Sequence, residues 1–217
     1  MILENADVHR MQRAFRSVLD AFAHPGTVYR IEAAPDAVAR PAALDAALET
    51  AVRLFVDQAV TFAVADAESD ALAAYISSET HATRVGAPEA DFVIVPTRAD
   101  GRTANRAVQE ACRGTLVSPE KGATVFVGCT RIANESAVVE GNDPAMLSVE
   151  VCGPGVRDVN RFTVDRLEWA RAREERRDEF PCGIDILLVD GEGQIVAIPR
   201  SSHVTCGDAT LAIGEVR

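Results

Sequence analysis

A hairpin pattern near the C-terminus constrains the fold more than any other feature of the sequence. Residues 186–189 (Ile-Leu-Leu-Val) form one apolar run, residues 195–198 (Ile-Val-Ala-Ile) form another, and the Gly-rich stretch 190–193 lies between them. Two apolar runs around a Gly-rich turn are typical of a β-hairpin. Because both faces of the first run are apolar, we predict that it lies inside a sheet rather than at a solvated edge.

Asp185 adjoins the first apolar run, where a carboxylate needs a partner. Counting back across a four-residue turn pairs Val189 with Gln194, and therefore Asp185 with Ile198. Arg200 then lies on the same face as Asp185, one diagonal step along the ladder. This register predicts an Asp185–Arg200 ion pair, whereas a slip of one residue would put the two on opposite faces.

Two roles are open for this segment. The ion pair is either a structural salt bridge at the end of a buried strand, or part of a site for an anion or a partner subunit. The candidate site consists of Arg200, Ser201, Ser202 and His203. Guanidinium and hydroxyl groups in such a site suit phosphate oxygens.

Three parts of the chain together resemble one protein family. The C-terminal part reads Phe-Pro-Cys-Gly-Ile-Asp at 180–185 and Ile-Pro-Arg-Ser-Ser-His-Val at 198–204, and the N-terminal part runs from Phe15-Arg16 to Pro25-Gly26. The middle adds Gly-Thr at 114–115, Ser-Pro-Glu at 118–120 and Gly-Ala-Thr at 122–124. In this order the motifs resemble the H subunit of bacterial carbon–phosphorus lyase over nearly the whole chain. Cys182 replaces a usual Leu and Ser201-Ser202 replace a Thr pair, with little change in size or polarity.

The resemblance implies a role in the use of organophosphonates as phosphorus sources. In that system the G, H and I subunits, with the L subunit, transfer the ribosyl triphosphate moiety of ATP to an alkylphosphonate. The H subunit is expected to be cytoplasmic, to form a homodimer when isolated, and to join a larger core with the G, I and J subunits. The fold is expected to resemble a reduced form of the pyridoxal-phosphate-dependent transferases, without the cofactor.

Length and charge narrow the class of protein further. The 217 residues suit a single domain, which we expect to span 1–217, and the absence of any long linker agrees with this. A net charge of −11 argues against a nucleic acid or an anionic membrane as the main partner. No secretory signal is visible at the N-terminus. The five cysteines are widely spaced, which favours free thiols in a reducing cytoplasm.

Hydrophobic periodicity predicts an α/β fold, a central mixed β-sheet flanked by helices. The first helix carries an apolar stripe of Val8, Met11, Phe15, Val18 and Phe22, which predicts either core packing or docking onto a second subunit. Further expectations are a helix that starts at Pro41 and a polar loop over 98–106 that enters a short helix near Ala107. Two strands over 124–132 and 148–152 are expected, joined by a polar excursion around 140–143, and then a charged, solvated helix over 162–177. Trp169 is expected to pack that last helix onto the sheet.

The sequence lacks the common catalytic motifs. Its single lysine, Lys121, is followed by Gly122, so there is no P-loop. Lys121 is also the only residue that could form a Schiff base, and the resemblance places no required lysine there, so no cofactor is expected. The four histidines have no metal-binding spacing, so no metal is expected.

Two functional hypotheses follow from these observations. The first is a non-catalytic assembly subunit, whose first-helix stripe and sheet edges form protein interfaces. The second is a phosphonate- or nucleotide-binding site formed by Arg200, Ser201, Ser202 and His203, with Arg16 as a further candidate.

Overall fold

Parallel strands form the centre of the molecule. The structure, a computed structural model, describes residues 5–33, 40–66, 69–134 and 146–206. The strands of the main sheet are β1 (Tyr29–Arg30), β2 (Thr61–Val64), β3 (Thr83–Arg84), β4 (Phe92–Val95), β5 (Thr124–Cys129), β9 (Asp185–Asp190) and β10 (Gln194–Ile198). Their order is β1-β10-β9-β5-β4-β2-β3. The five strands from β9 to β3 are parallel, whereas β10 is antiparallel to both of its neighbours, β9 and β1. The predicted mixed central sheet is therefore confirmed.

A second, antiparallel sheet was not predicted. It contains β6 (Ile132–Asn134), β7 (Leu147–Cys152), β8 (Asn160–Val164) and β11 (His203–Cys206), in the order β11-β7-β8-β6. The predicted strand over 124–132 is thus wrong, because it divides between two sheets at Thr130. The polar excursion around 140–143 lies outside the described residues.

Helices cover both faces of the main sheet. They are α1 (Asn5–Ala23), α2 (Ala46–Phe55), α3 (Ser69–Thr80), α4 (Gly101–Glu110) and α5 (Glu168–Arg176). One face buries apolar side chains of α1, α2 and α3 against the sheet, and the other buries those of α4, α5 and the second sheet. This double-sided burial explains why β4 is apolar throughout and β5 is apolar after Thr124.

Several helix predictions are wrong in their bounds. The helix expected from Pro41 begins at Ala46. The short helix expected near Ala107 is present as α4, but it begins at Gly101, within the stretch predicted as a loop. The predicted helix over 162–177 starts only at Glu168, because Phe162 lies in β8. Trp169 is fully buried in the core formed with the sheets, as expected.

The α1 stripe differs from the predicted one. Ala14, Val18 and Ala21 form the buried face, whereas Val8 and Phe15 are 37% and 41% exposed. The helix therefore presents part of its apolar surface to solvent.

Within the described ranges, no helix combines the length and apolarity needed to cross a membrane. The expected kinship with pyridoxal-phosphate-dependent transferases, and the 1–217 domain bounds, stay predictions.

Candidate functional site

Asp190 fixes the turn of the C-terminal hairpin. Its Oδ1 accepts hydrogen bonds from the backbone N–H groups of Glu192 (3.0 Å) and Gln194 (2.8 Å). Its Oδ2 accepts one from Ile132 N–H of the second sheet at 2.9 Å. Burial raises the pKa of Asp190, although these hydrogen bonds oppose the shift. The hairpin is confirmed, and its turn is held by a side chain that sequence reasoning missed.

The predicted hairpin register is wrong by one residue. Val189 pairs with Ile195 instead of Gln194, and Ile186 pairs with Ile198. Gly193 has a φ of +86°, which a glycine adopts without cost, and its Cβ would lie 2.3 Å from the carbonyl oxygen of Ile31. Because β9 ends at Asp190 and β10 begins at Gln194, the turn contains three residues, 191–193, instead of the four that the sequence pattern indicated.

The Asp185–Arg200 ion pair nevertheless forms. Asp185 Oδ1 accepts a hydrogen bond from the backbone N–H of Arg200 at 2.7 Å, and Oδ2 accepts from Nη2 at 2.5 Å and from Nε at 3.1 Å. Arg200 lies beyond the last residue of β10, so the alternation of the ladder no longer dictates where its side chain points. This position explains why the ion pair forms although the observed register differs from the predicted one by a residue.

Arg200 also holds the loop before β5. Its Nη1 donates to the Pro119 carbonyl at 2.5 Å, and its Nη2 donates to the Gly122 carbonyl at 3.1 Å. Four of the five guanidinium N–H groups are thus engaged within the protein. The carboxylate of Asp185 balances the positive charge. This arrangement matches the structural reading of the ion pair more closely than the anion-binding one.

A cleft of about 680 Å³ lies beside this ion pair, between α5 and β11. Of the predicted site residues, the structure brings Arg200, Ser201, Ser202 and His203 together in its lining. Asp185 contacts the cleft only through Arg200. Arg16 is exposed on α1 and does not line the cleft.

Arg173 of α5 forms one wall of the cleft and fixes its floor. Its Nη2 donates to the carbonyls of Pro199 (2.9 Å), Arg200 (3.2 Å) and Ser202 (2.8 Å). Its Nε and Nη1 have no hydrogen-bond partner among the described residues. Burial lowers the pKa of Arg173, while the nearby Asp185 and Asp178 carboxylates oppose that shift. Sequence reasoning missed this residue because the helix looked solvated.

Arg177 ends α5 in a conformation that normally favours glycine. Its backbone has φ 50° and ψ 42°, the left-handed region, and it follows the helix directly. The side chain lines the cleft, is exposed, and has no ion-pair or hydrogen-bond partner in the described part of the chain. The cleft therefore contains one fully available guanidinium and one that is partly available.

Comparison with known proteins identifies the family. The model of the family described as "Bacterial phosphonate metabolism protein (PhnH)" matches residues 4–205. The chain belongs to the PhnH family. It is also 31% identical over 201 residues to a Stutzerimonas stutzeri protein named as a C–P lyase subunit, HtxG, covering 90% of this chain and 86% of that protein. The resemblance to the H subunit of carbon–phosphorus lyase is thereby confirmed.

Two further arginines of this PhnH-family chain are buried, against the prediction of a solvated helix. Arg176 donates through Nη1 to the carbonyls of Val108 (2.6 Å), Gln109 (2.8 Å) and Ala111 (2.9 Å), and through Nε to Asp178 (2.7 Å). It thus satisfies the carbonyls at the C-terminal end of α4.

Arg166 plays a similar role at the carboxyl ends of β4 and β5. Its guanidinium donates to the carbonyls of Thr97 (3.3 Å), Gly128 (3.2 Å) and Ala99 (2.9 Å). Both buried arginines therefore hold backbone carbonyls of separate segments in place.

A second cleft, of about 380 Å³, lies between α4 and strands β2 and β3. Its cations are paired with acids: Arg84 with Asp70 at 2.6 Å and Arg106 with Glu110 at 2.8 Å. Because the charges of its lining are paired, this cleft attracts anions less strongly than the cleft beside α5.

Reactive groups are scarce in the described part of the chain. Burial raises the pKa of the Cys129 thiol well above its usual range, and it also raises the pKa of Cys206. No group of three or more metal-binding side chains occurs among the described residues. His24 Nδ1 lies 3.0 Å from the Asp20 carbonyl oxygen, so the imidazole caps the C-terminal end of α1.

Proposed function

We propose that the chain is the H-type subunit of a carbon–phosphorus lyase system. With G, I, J and L partner subunits, it would support transfer of the ribosyl triphosphate moiety of ATP to an alkylphosphonate. Its own part would be assembly rather than chemistry, in the cytoplasm. The observation that carries the proposal is the family match over residues 4–205.

The way the chain uses its polar side chains supports an assembly role. Arg166 and Arg176 donate mainly to backbone carbonyls, and Arg200 divides its donors between the Asp185 carboxylate and two carbonyls. Cys129 is a buried thiol of raised pKa. Such groups hold the fold together and are poorly placed to act as nucleophile, acid or base.

Exposed apolar side chains supply candidate interfaces. On α1, Phe15 is 41% exposed and Leu19 is 50% exposed. On two loops, Leu116, Val117 and Phe180 are exposed by 77%, 93% and 72%. Apolar groups of this size on a surface commonly mark contacts with other proteins. We propose the α1 face as a contact with a partner subunit or, in the isolated chain, with a second copy.

Co-purification with the other subunits tests this proposal. Phe15→Glu/Leu19→Glu places two charges on the exposed apolar face and should abolish recovery of the partners. His9→Glu/Gln12→Glu adds two acidic side chains at exposed polar positions of the same helix and should leave recovery intact. Circular dichroism of both variants checks that the helix persists. Equal recovery with both variants would exclude this face.

The second candidate function is binding of a phosphonate or nucleotide by this chain itself. The observation that favours it is the gathering of Arg200, Ser201, Ser202 and His203 in one cleft. Arg200 is a weak choice for the binding cation, because Asp185 neutralises it and two carbonyls share its donors. A binding role for the cleft would need another cation.

A further inference from the structure

The charges around the cleft do not cancel. Arg200 is balanced by Asp185, and Asp178 is occupied by Arg176 at 2.7 Å and Arg113 at 3.3 Å. Among the cleft-lining residues, Arg173 and Arg177 remain as cations, and Glu174 remains as the acid. The cleft is thus locally positive on a chain whose net charge is −11. A local reversal of sign of this kind concentrates anions at one place.

The two cations stand one helical turn apart. Arg173 is in the last turn of α5 and Arg177 follows its end, so they are neighbours on the cleft side. Arg173 is held in place by its three carbonyl contacts, which leave Nε and Nη1 without partners in the described chain. Arg177 occupies a left-handed backbone position at which glycine would be less strained.

Hydroxyl groups border the same space. Ser201 and Ser202 line the cleft, and the buried Oγ of Ser202 has no hydrogen-bond partner among the described residues. A buried hydroxyl without a partner is uncommon in native proteins. His203 adds an exposed imidazole at the start of β11. The cleft thus combines guanidinium forks with hydroxyl donors, and at about 680 Å³ it falls in the usual range for small-molecule sites.

We infer that this cleft binds a phosphorus oxyanion, a phosphonate or a phosphate ester, through Arg173 and Arg177, with Ser201 and Ser202 completing the donor set. The inference reassigns the binding cation from Arg200 to the two arginines of the helix end. It rests on the proposed function for the choice of phosphorus oxyanion over other anions. Guanidinium groups form paired, charge-assisted hydrogen bonds to such oxygens.

Titration calorimetry of the full chain at low ionic strength tests the inference with three probes: methylphosphonate, inorganic phosphate and ATP. Arg177→Gly and Arg173→Gln should each weaken binding about tenfold or more, because each removes a charged donor. Arg171→Ala is the matched control, since Arg171 is an exposed arginine of the same helix outside the cleft lining. It should leave the affinity within about twofold of the unmodified chain, as expected of an exposed charge away from the site.

Arg177→Gly separates lost binding from lost folding. Glycine relieves the left-handed backbone, so this variant should have an unchanged or higher melting temperature while it loses affinity. Tighter binding of methylphosphonate than of ATP would identify an alkylphosphonate site, and the reverse order a nucleotide site. Equal affinity for all three probes would indicate recognition of the oxyanion alone. Each of these outcomes supports the inference if the Arg177→Gly variant binds the probe more weakly than the unmodified chain does.

Two results would overturn the inference. One is the absence of binding by all three probes at millimolar concentration, and the other is unchanged affinity in both Arg177→Gly and Arg173→Gln. Neither affects the assembly proposal, because recovery of partner subunits is measured separately. An Arg177→Gly chain that still co-purifies with its partners but no longer binds oxyanions would place the two functions on different surfaces.

Discussion

Asp185 contacts Arg200 through both the backbone and the side chain of the arginine. The carboxylate accepts the backbone N–H at 2.7 Å and the guanidinium Nη2 at 2.5 Å. The same guanidinium reaches the carbonyls of Pro119 and Gly122, 81 and 78 residues earlier in the chain. One ion pair thus fixes the end of β10 and the loop that leads into β5.

Breaking this pair should destabilise the fold. We expect Asp185→Asn to lower the free energy of unfolding by about 2–3 kcal/mol, because it leaves a largely buried guanidinium without its counter-charge. Urea denaturation of Asp185→Asn, Arg200→Gln and the double variant measures the coupling. A coupling energy of about 1 kcal/mol or more is expected for a contact of this kind. Strict additivity of the two single changes would contradict the structural role assigned to the pair.

The packing around Arg200 leaves no space for a side chain at Gly122. A Cβ there would lie 2.3 Å from the Gly183 carbonyl oxygen and 2.5 Å from Arg200 Nη1. We expect Gly122→Ala to cost about 1–3 kcal/mol of stability, as overpacking typically does. Gly191→Ala is the matched control, since a Cβ at Gly191 meets no atom within 4 Å, and it should change stability by no more than about 0.5 kcal/mol. Similar thermal denaturation curves for both variants would show that Gly122 is not packed against Gly183 and Arg200 as described.

Asp190 gives a prediction about pH. Burial raises its pKa in the folded chain, so its contribution to stability is fully present below the unfolded pKa of about 3.9 and is lost as pH rises through the folded value. Asp190→Asn removes this titration and also one acceptor, that of the Ile132 N–H. It should cost about 1–3 kcal/mol, from the buried donor left without a partner.

The difference between the unmodified chain and Asp190→Asn should therefore be largest near pH 4 and narrow as the pH rises toward neutrality. Urea denaturation of both chains across that range measures it. A difference that instead widens with rising pH would mean that the hydrogen bonds to Asp190 outweigh its burial.

Cys129 should resist modification in the folded chain. Its side chain is fully buried, and burial, together with Asp165, raises the pKa of its thiol. Because the thiolate is the reactive form, a thiol reagent at pH 8 should label Cys129 only after unfolding. Mass spectrometry of peptides labelled with and without denaturant measures this. Labelling of Cys129 in the native chain at the rate of the half-buried Cys182 would contradict the core packing described here.

The apolar runs were predictable from sequence, and the register between them was not. Strands β5, β9 and β10 each contain a continuous apolar run next to a polar end residue, so their burial follows from the sequence pattern. The register depends on the hydrogen bonds of Asp190 to Glu192 and Gln194, which a count of turn residues does not include. An Asp followed by Gly in a turn was the available signal for such bonds.

The charged helix was misread for a related reason. Arg173 and Arg176 bury their guanidinium groups against carbonyls of distant segments, from Val108 to Ser202. A sequence pattern shows alternating charges but not which carbonyls lie opposite them. Helix α4 was predicted too short, near Ala107 only. Among its residues Ala104, Ala107 and Val108 are buried, and the polar first turns resemble a loop in sequence.

Adenine release from ATP and an alkylphosphonate, followed with the G, I and L partner subunits present and absent, tests the central claim most directly. An assembly subunit should give no turnover alone, and its omission should sharply reduce turnover by the partners. Turnover by the purified chain on its own, or full activity of the partners without it, would contradict the account.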